Sequence, residues 1–413
     1  MSGPDLDFEP FHRHELPRRL AAGHGALAAG DLAGQPALGW RLAGGGAYTY
    51  VPRAGGVEIV AGEAAADTVV VLDAGAWRDF VGELRSVPAL LYAGALAVPR
   101  GDVRVLFRWE PALRALYHGR PLFDPARLDL RGRDGRPLDL DASFARDAAP
   151  EEVAHVLGEA GFAVVRGVLA PAEIAALSAE VERLCAAARP GDRASWWART
   201  AAGAQVLCRV TYAGLKSAAI AALNDDPRLR VLVAAFRADL RPAPDRLDGI
   251  AAILKHPGVV DGLADLPWHV DCGMGGHPLM CPVVQVSVLL DEASPATGTL
   301  EFLAGSHRYA AHAPGAERDG LPIATIHAAA GDCVLHLSDT MHAAPPPRGA
   351  GRYRRSLVTS FYRPEVLAAV PPGTAFNDVL LARPDGHVDD LQTRADAISR
   401  SSPLNPATAP PRR

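Results

Sequence analysis

Cysteine is scarce in this chain. Cys185, Cys208, Cys272, Cys281 and Cys333 are all that 413 residues contain. Their number is odd, their spacing wide, and no Cys-x-x-Cys pair occurs. That argues against a disulfide framework and for reduced thiols. A basic excess is also missing. The 42 Lys and Arg against 47 Asp and Glu give a net charge of −5, with no basic stripe to bind nucleic acid. No apolar run approaches the length of a membrane span. Met1 to Pro17 carries Asp5, Asp7 and Glu9 without an apolar core, so no signal peptide is visible and a cytoplasmic protein is expected. Internal repeats are absent. What remains, 49% hydrophobic and 22% charged, is ordinary globular composition at a length that calls for more than one domain.

Punctuation divides the chain. After an extension over 1–19, residues 20–123 read as a compact α+β domain. Thr68 to Leu72 is a β-branched apolar strand. Trp77, Phe80, Val81 and Leu84 fall on one face of a helix. Two short strands, Ala95–Val98 and Val103–Phe107, flank the turn Pro99-Arg100-Gly101-Asp102, and a helix holds Leu113, Leu116 and Tyr117. Residues 124–150, rich in Asp, Arg, Gly and Pro, read as a linker or as an ordered connection wrapped on the second domain. That domain spans 151–368. A strand from Phe162 to Val168 leads to a helix opened by Pro171, with Ile174, Leu177, Val181 and Leu184 as its buried stripe. Short strands follow at Ile250–Lys255, Val283–Leu290, Thr299–Leu303, Asp332–Leu337 and Ser356–Tyr362, the pattern of a double-sheet β-fold. Residues 369–413 read as a tail, disordered over its last dozen residues.

Chemistry concentrates at His269-Val270-Asp271 and His342. Residues i and i+2 of a strand point the same way, so His269 and Asp271 can reach one ion if that segment stays extended. His342 has to come from another strand. Two imidazoles and one carboxylate leave adjacent coordination positions free, which suits Fe(II) and oxygen better than structural zinc. The triplet alone proves little, since His387-Val388-Asp389 repeats it. Only the first copy follows a strand and has a distal histidine and arginines behind it. The bland alternative is a surface His-Asp pair with an unrelated loop histidine.

Trp268-His269-Val270-Asp271, the segment Gly298 to His307 with its Gly305-Ser306-His307, and Gly331-Asp332 leading to His342 are similar to the motifs of the phytanoyl-CoA dioxygenase family. Gly161-Phe162 to Gly167 followed by Pro171 to Ile174 resembles its opening strand and helix. The resemblance covers about 151–364 in the right order. It implies a double-stranded β-helix (jelly roll), Fe(II) held by His269, Asp271 and His342, and 2-oxoglutarate and O2 as co-substrates. Two departures stand out: Ala304 replaces a proline, and Thr297 an asparagine. For the distal carboxylate of 2-oxoglutarate the candidates are Arg354, Arg355 and Arg352. Arg354 is preferred because it shares a strand face with the small residues Ser356 and Ser360, and the Arg354-x-Ser356 pair resembles one used by other 2-oxoglutarate enzymes. Gln285 is expected to line the cofactor, with a buried amide bonding backbone as the alternative. Lys255 reads as a strand-end lysine that could reach the site. His307 and Asp332 read as turn-holding groups, and Trp196-Trp197 as core or lid packing.

Asp67 to Asp73, the Trp77 helix, Gly94 to Val98 and Gly101-Asp102 resemble the sterol-carrier-protein lipid-binding domain. The implied whole is an α+β two-domain protein. A sterol-carrier-like sheet-and-helix domain precedes a dioxygenase that hydroxylates a C–H bond of a small, lipophilic substrate. Related halogenases replace the carboxylate of the triad, so Asp271 argues for hydroxylation. The competing readings are a lipid carrier with an inactive dioxygenase domain and a cupin-like enzyme without 2-oxoglutarate. The sequence leaves the oligomeric state open.

Overall fold

The computed structural model describes residues 6–400 other than 248, 275–276, 350–352, 371–372 and 382. The chain divides into two compact units: Met1–Phe123 with Tyr309–His312 and Leu391–Arg413, and Asp124–Arg308 with Ala313–Asp390. No described helix is long and apolar enough to cross a membrane.

The first unit is a five-stranded sheet with helices. Its strands β1 (Leu38–Leu42), β2 (Ala47–Arg53), β3 (Gly56–Ala61), β4 (Thr68–Leu72) and β5 (Leu96–Arg100) lie in the order β3-β2-β1-β4-β5. Only β1 and β4 pair in parallel. The helix Ala74–Val81 starts where the Asp73 carboxylate accepts the Ala76 N–H at 2.7 Å, and it buries Trp77, Phe80 and Val81. It stops before Leu84, which is left 40% exposed, because the chain turns at Gly82 and at Glu83, whose φ is 60°.

Val103–Phe107, expected as a strand, is instead the start of the helix Val103–His118. Asp102 is its N-cap, accepting the Arg104 N–H at 2.8 Å, so the expected turn is a helix start. The segment expected as an extension is helical, and its Phe8, Phe11 and Leu16 join Trp40, Trp77, Phe80, Trp109 and Tyr117 in the core. Within the expected tail, the helix Leu391–Arg400 belongs to this unit, where Arg394 donates to the Tyr92 carbonyl at 3.0 Å. The last dozen residues lie outside the described ones.

The second unit is built from two sheets. The larger holds β6 (Phe144–Ala145), β7 (Phe162–Arg166), β8 (Ser195–Thr200), β9 (Gln205–Val210), β10 (Arg241–Pro242), β11 (Ala251–Lys255), β12 (Val259–Asp261), β14 (Val284–Leu289), β17 (Cys333–Leu337) and β19 (Arg354–Tyr362). They lie in the order β12-β8-β9-β11-β19-β14-β17-β7-β6, with β10 beside β19. The smaller sheet is β13 (Leu266–His269), β18 (His342–Ala344), β15 (Glu301–Leu303) and β16 (Ile323–Thr325), in the order β13-β18-β15-β16. The strands fall where the apolar runs put them, most trimmed at their ends, whereas β19 starts two residues before the expected Ser356, at Arg354. β7, for example, stops at Arg166 because Gly167 takes a φ of 58°.

Alternation along these strands separates two environments. Val284, Val286 and Val288, Leu335 and Leu337, and Leu357 and Phe361 face the helix Pro171–Ala187, meeting its Ile174, Leu177, Val181 and Leu184 in one core. Burying each such side chain stabilises the unit by about 1.5–3 kcal/mol. The other face carries Gln285 and Ser287, Val334 and His336, and Arg354, Ser356 and Ser360, in adjoining register positions. Phe162 of the larger sheet and Phe302 of the smaller stack at 4.8 Å between centroids. Residues 124–150 are an ordered connection in this unit, with Leu130, Leu138 and Leu140 packed on a cluster that includes Phe162 and Phe302.

Candidate metal centre

The smaller sheet brings the two histidines together. β13 and β18 run antiparallel with His269 and His342 as register partners, and their rings lie 4.2 Å apart. His342 therefore lies directly across from His269 on the neighbouring strand. The segment does not stay extended through Asp271. β13 ends at His269 and the chain bends, fixed by the Asp271 N–H donating to the Ser338 carbonyl at 2.9 Å. The bend keeps the carboxylate near both rings: Oδ1 is 3.6 Å from His269 Nε2 and Oδ2 is 4.0 Å from His342 Nε2. One donor atom from each of the three residues lies within 4.8 Å of the others, so the set can close on a single ion.

The tautomers are set by the backbone. His269 Nδ1 lies 2.7 Å from the Pro267 carbonyl and His342 Nδ1 2.9 Å from the Thr340 carbonyl. A carbonyl only accepts, so each Nδ1 carries a proton, and Nε2 is the ring atom left to present a lone pair to a metal. Burial pushes His342 down to about 3, which keeps that ring neutral. Burial opposes ionisation of Asp271, but the facing His342, His269 and His336 hold its carboxylate well below the usual range. Two neutral imidazoles and one anion are the protonation states a divalent cation requires.

The sequence reading missed His336. It is buried, its Nε2 lies 3.4 Å from Asp271 Oδ2, and its ring is 4.7 Å from that of His342. Its signal is the alternation of β17, which puts Val334 and His336 on the face opposite Leu335 and Leu337. Gln285, its register partner on β14, donates to Asp271 Oδ2 at 3.4 Å and accepts from the Ser360 hydroxyl. The Gln285 amide thus meets the carboxylate of the triad, and not backbone.

The two arginines of β19 separate cleanly. Arg355 is engaged by Asp291 at 2.8 Å and Glu182 at 2.9 Å. Arg354, on the opposite face with buried Ser356, is 2% exposed, and its Nε and Nη1 meet no acceptor among the described residues. Burial pushes its guanidinium down to about 10, partly offset by Asp291. A charge left this way costs several kcal/mol, and an anion that docks against it relieves that cost. Arg352, the third candidate, lies outside the described residues. Lys255 is not an exposed strand end. It is 1% exposed, is the register partner of Arg354, and donates to the Asp265 carboxylate and the Ala344 carbonyl.

The remaining motif residues hold turns. Asp332 accepts from Gly167 N at 2.8 Å, Ala329 N at 2.7 Å and Arg166 at 2.9 Å. His307 Nε2 lies 3.0 Å from the Gly158 carbonyl. At the departures, Thr297 donates to the Glu292 carbonyl at 2.6 Å, and Ala304 N–H donates to Pro322 at 2.9 Å, a bond proline could not make. Trp196 is buried in packing, with its Nε1 donating to Asn377 at 2.7 Å. His387 sits 3.4 Å from Asp261 and 3.5 Å from Asp389, with no second histidine in that set.

Residues 157–356, a little under half of the chain, match the family model described as phytanoyl-CoA dioxygenase (PhyH). No curated protein sequence matches the chain. Among solved structures, the chain is similar to the non-heme alpha-ketoglutarate-dependent epimerase SnoN from nogalamycin biosynthesis. That match has 24% identity and a TM-score of 0.42, covering 56% of this chain and 86% of that one. It is similar to AviO1 from Streptomyces viridochromogenes at 27% identity and a TM-score of 0.41, covering 54% and 97%. EctD from S. alaskensis, solved with 2-oxoglutarate and 5-hydroxyectoine, matches at 21% identity and a TM-score of 0.44, covering 62% and 96%.

Proposed function

We propose that the protein is an Fe(II)- and 2-oxoglutarate-dependent dioxygenase that hydroxylates a C–H bond of a small, lipophilic substrate. The observation that carries this reading is the pairing of a three-donor set with a buried, unsatisfied arginine in one unit. His269, Asp271 and His342 would hold the iron through Nε2, a carboxylate oxygen and Nε2. Three protein donors leave room for a bidentate 2-oxo acid and for O2. Arg354 would take the distal carboxylate of 2-oxoglutarate as a two-pronged donor, with Ser356 beside it on the same face. Bound there, iron would supply the oxidising chemistry that turns decarboxylation of the 2-oxo acid into insertion of oxygen at carbon. The protein's part is orientation. Gln285 and His336 hold the Asp271 carboxylate, and the two backbone carbonyls fix the ring planes.

The family match over 157–356 supports the same reading. Hydroxylation, as the outcome, rests on Asp271 occupying the carboxylate position. The lipophilic substrate rests on the resemblance of the first unit to lipid-binding domains.

The test is turnover. With Fe(II), ascorbate and O2, the full chain is expected to convert 2-oxoglutarate to succinate, slowly alone and faster with its substrate. Asp271→Ala is expected to abolish succinate formation. Equal succinate formation by wild type and Asp271→Ala would refute the proposal.

A further inference from the structure

We propose that Cys272, His277 and Cys281, with Asp339, form a second metal site that binds zinc and clamps the loop following Asp271. The donors converge from a short stretch. Cys272 and Cys281 are buried, with sulfurs 3.3 Å apart, and His277 Nδ1 lies 3.0 Å from the Cys281 sulfur. One donor atom from each of the three residues lies within 4.8 Å of the others. His277 is itself 3% exposed, and its Nε2 meets no partner among the described residues, so the sulfur is what anchors the imidazole. Asp339 comes from the turn between β17 and β18. Its Oδ1 accepts the Met280 N–H at 2.7 Å, and its carboxyl hydrogen-bonds with Cys272.

The chemistry of this set differs from that of the iron triad. Two soft sulfurs and an imidazole are a zinc-type donor set. Asp339, hydrogen-bonded to Cys272 but outside that three-donor group, would have to swing in to complete a closed tetrahedral site. Zinc–sulfur bonds of roughly 2.3 Å at tetrahedral angles need the sulfurs roughly 3.8 Å apart. The pair therefore has to open by roughly 0.5 Å, a side-chain adjustment. Both sulfurs would bind as thiolates, which carry the charge that neutralises the cation. Backbone bonds hold the donors' neighbours in place. Cys272 N–H donates to the Ser338 carbonyl at 3.3 Å, Gly273 N–H to His277 at 2.9 Å, and Met274 N–H to Asp271 at 3.2 Å. Ala243, Val283, Tyr362 and Ala375 wall off the sulfurs. Cys272 directly follows Asp271, and Asp339 lies three residues before His342. Zinc here would tie down both segments that deliver those side chains.

The experiment is metal analysis of the full chain with iron removed by a mild chelator. About one zinc per chain is expected to remain, and to be released only when a mercurial modifies the thiols. Cobalt(II) added to the zinc-free protein is expected to give a near-ultraviolet thiolate-to-cobalt charge-transfer band. The band should be present in Asp271→Ala and absent in Cys281→Ser, which keeps this outcome separate from that of the iron site. No retained zinc together with no cobalt–thiolate band overturns the proposal, as does a Cys272–Cys281 disulfide found in protein purified under reducing conditions. If Cys281→Ser fails to fold, the mercurial-triggered release from wild type still decides.

Discussion

At the scale of single residues, the account turns on which charges are satisfied and which are not. Arg355 has Asp291 and Glu182, whereas Arg354 is buried with two nitrogens lacking acceptors among the described residues. Arg354→Ala should therefore raise the apparent KM for 2-oxoglutarate at least tenfold, as loss of a charge-assisted contact worth about 1.5–3 kcal/mol implies. Fe(II) affinity should stay near wild type. Arg355→Ala should leave KM unchanged and lower stability by about 1 kcal/mol. Steady-state kinetics at varied 2-oxoglutarate separates the two, and the reverse pattern would exchange their roles. His336 makes a second residue-scale prediction. His336→Phe keeps the packing against Phe302 but removes a contact to Asp271, so Fe(II) affinity should fall roughly 10–100-fold. An unchanged Fe(II) affinity would mean that His336 is only packing. That His269, Asp271 and His342 come together, and that Arg354 faces inward, was legible in the sequence because motif spacing and strand alternation both survive in one dimension. For His336 alternation gives only the face, and one histidine in an apolar strand looks like core until β17 is paired with β14.

At the scale of elements, capping and pairing decided what periodicity left ambiguous. Val103-Arg104-Val105-Leu106-Phe107 alternates like a strand, yet Asp102 caps it into a helix. Asp102 also bonds Ser399 at 3.1 Å, so Asp102→Ala should destabilise the first unit by about 1–2 kcal/mol in chemical denaturation. A neutral effect would mean the cap is idle. His12 gives the same unit a pH dependence. Its ring stacks on Tyr48 at 4.2 Å, its Nδ1–H donates to the Phe8 carbonyl, and its Nε2 accepts from Tyr50. Burial lowers its pKa from 6.5 to about 4. The unfolded chain therefore binds the proton more readily, and stability is complete above about 6.5. It drains as pH falls towards 4, by roughly 3 kcal/mol in all. Hydrogen exchange of β1 and β2 against pH should show that loss, and His12→Gln should flatten it. An unchanged slope in His12→Gln would assign the loss to other groups. The same limit applied at the candidate metal centre. The sequence put His269 and Asp271 on one strand, but the bend at Asp271 depends on a hydrogen bond to Ser338, which no local pattern encodes.

At the scale of the whole molecule, two units share one chain, and the second, expected over 151–368, takes in Asp124–Arg308 and Ala313–Asp390. Its strands, opening helix and motif turns fall in the expected order. The first unit's limits were harder to read, because Tyr309–His312 and Leu391–Arg400 join it from far along the chain. Only tertiary contacts assign such segments. The lipophilic substrate is the claim that belongs to this scale. Native mass spectrometry of the full chain should detect a bound acyl or isoprenoid molecule that also stimulates succinate formation. Absence of both would separate the dioxygenase reading, which stands without it, from the lipid one.

The central claim is that His269, Asp271, His342 and Arg354 hold Fe(II) and 2-oxoglutarate together. Anaerobic titration of the purified chain with Fe(II) and then 2-oxoglutarate measures it most directly. The account predicts a weak visible charge-transfer band in wild type, lost in Asp271→Ala and shifted to much higher 2-oxoglutarate in Arg354→Ala. No band in wild type, or the same band in Asp271→Ala, would contradict it.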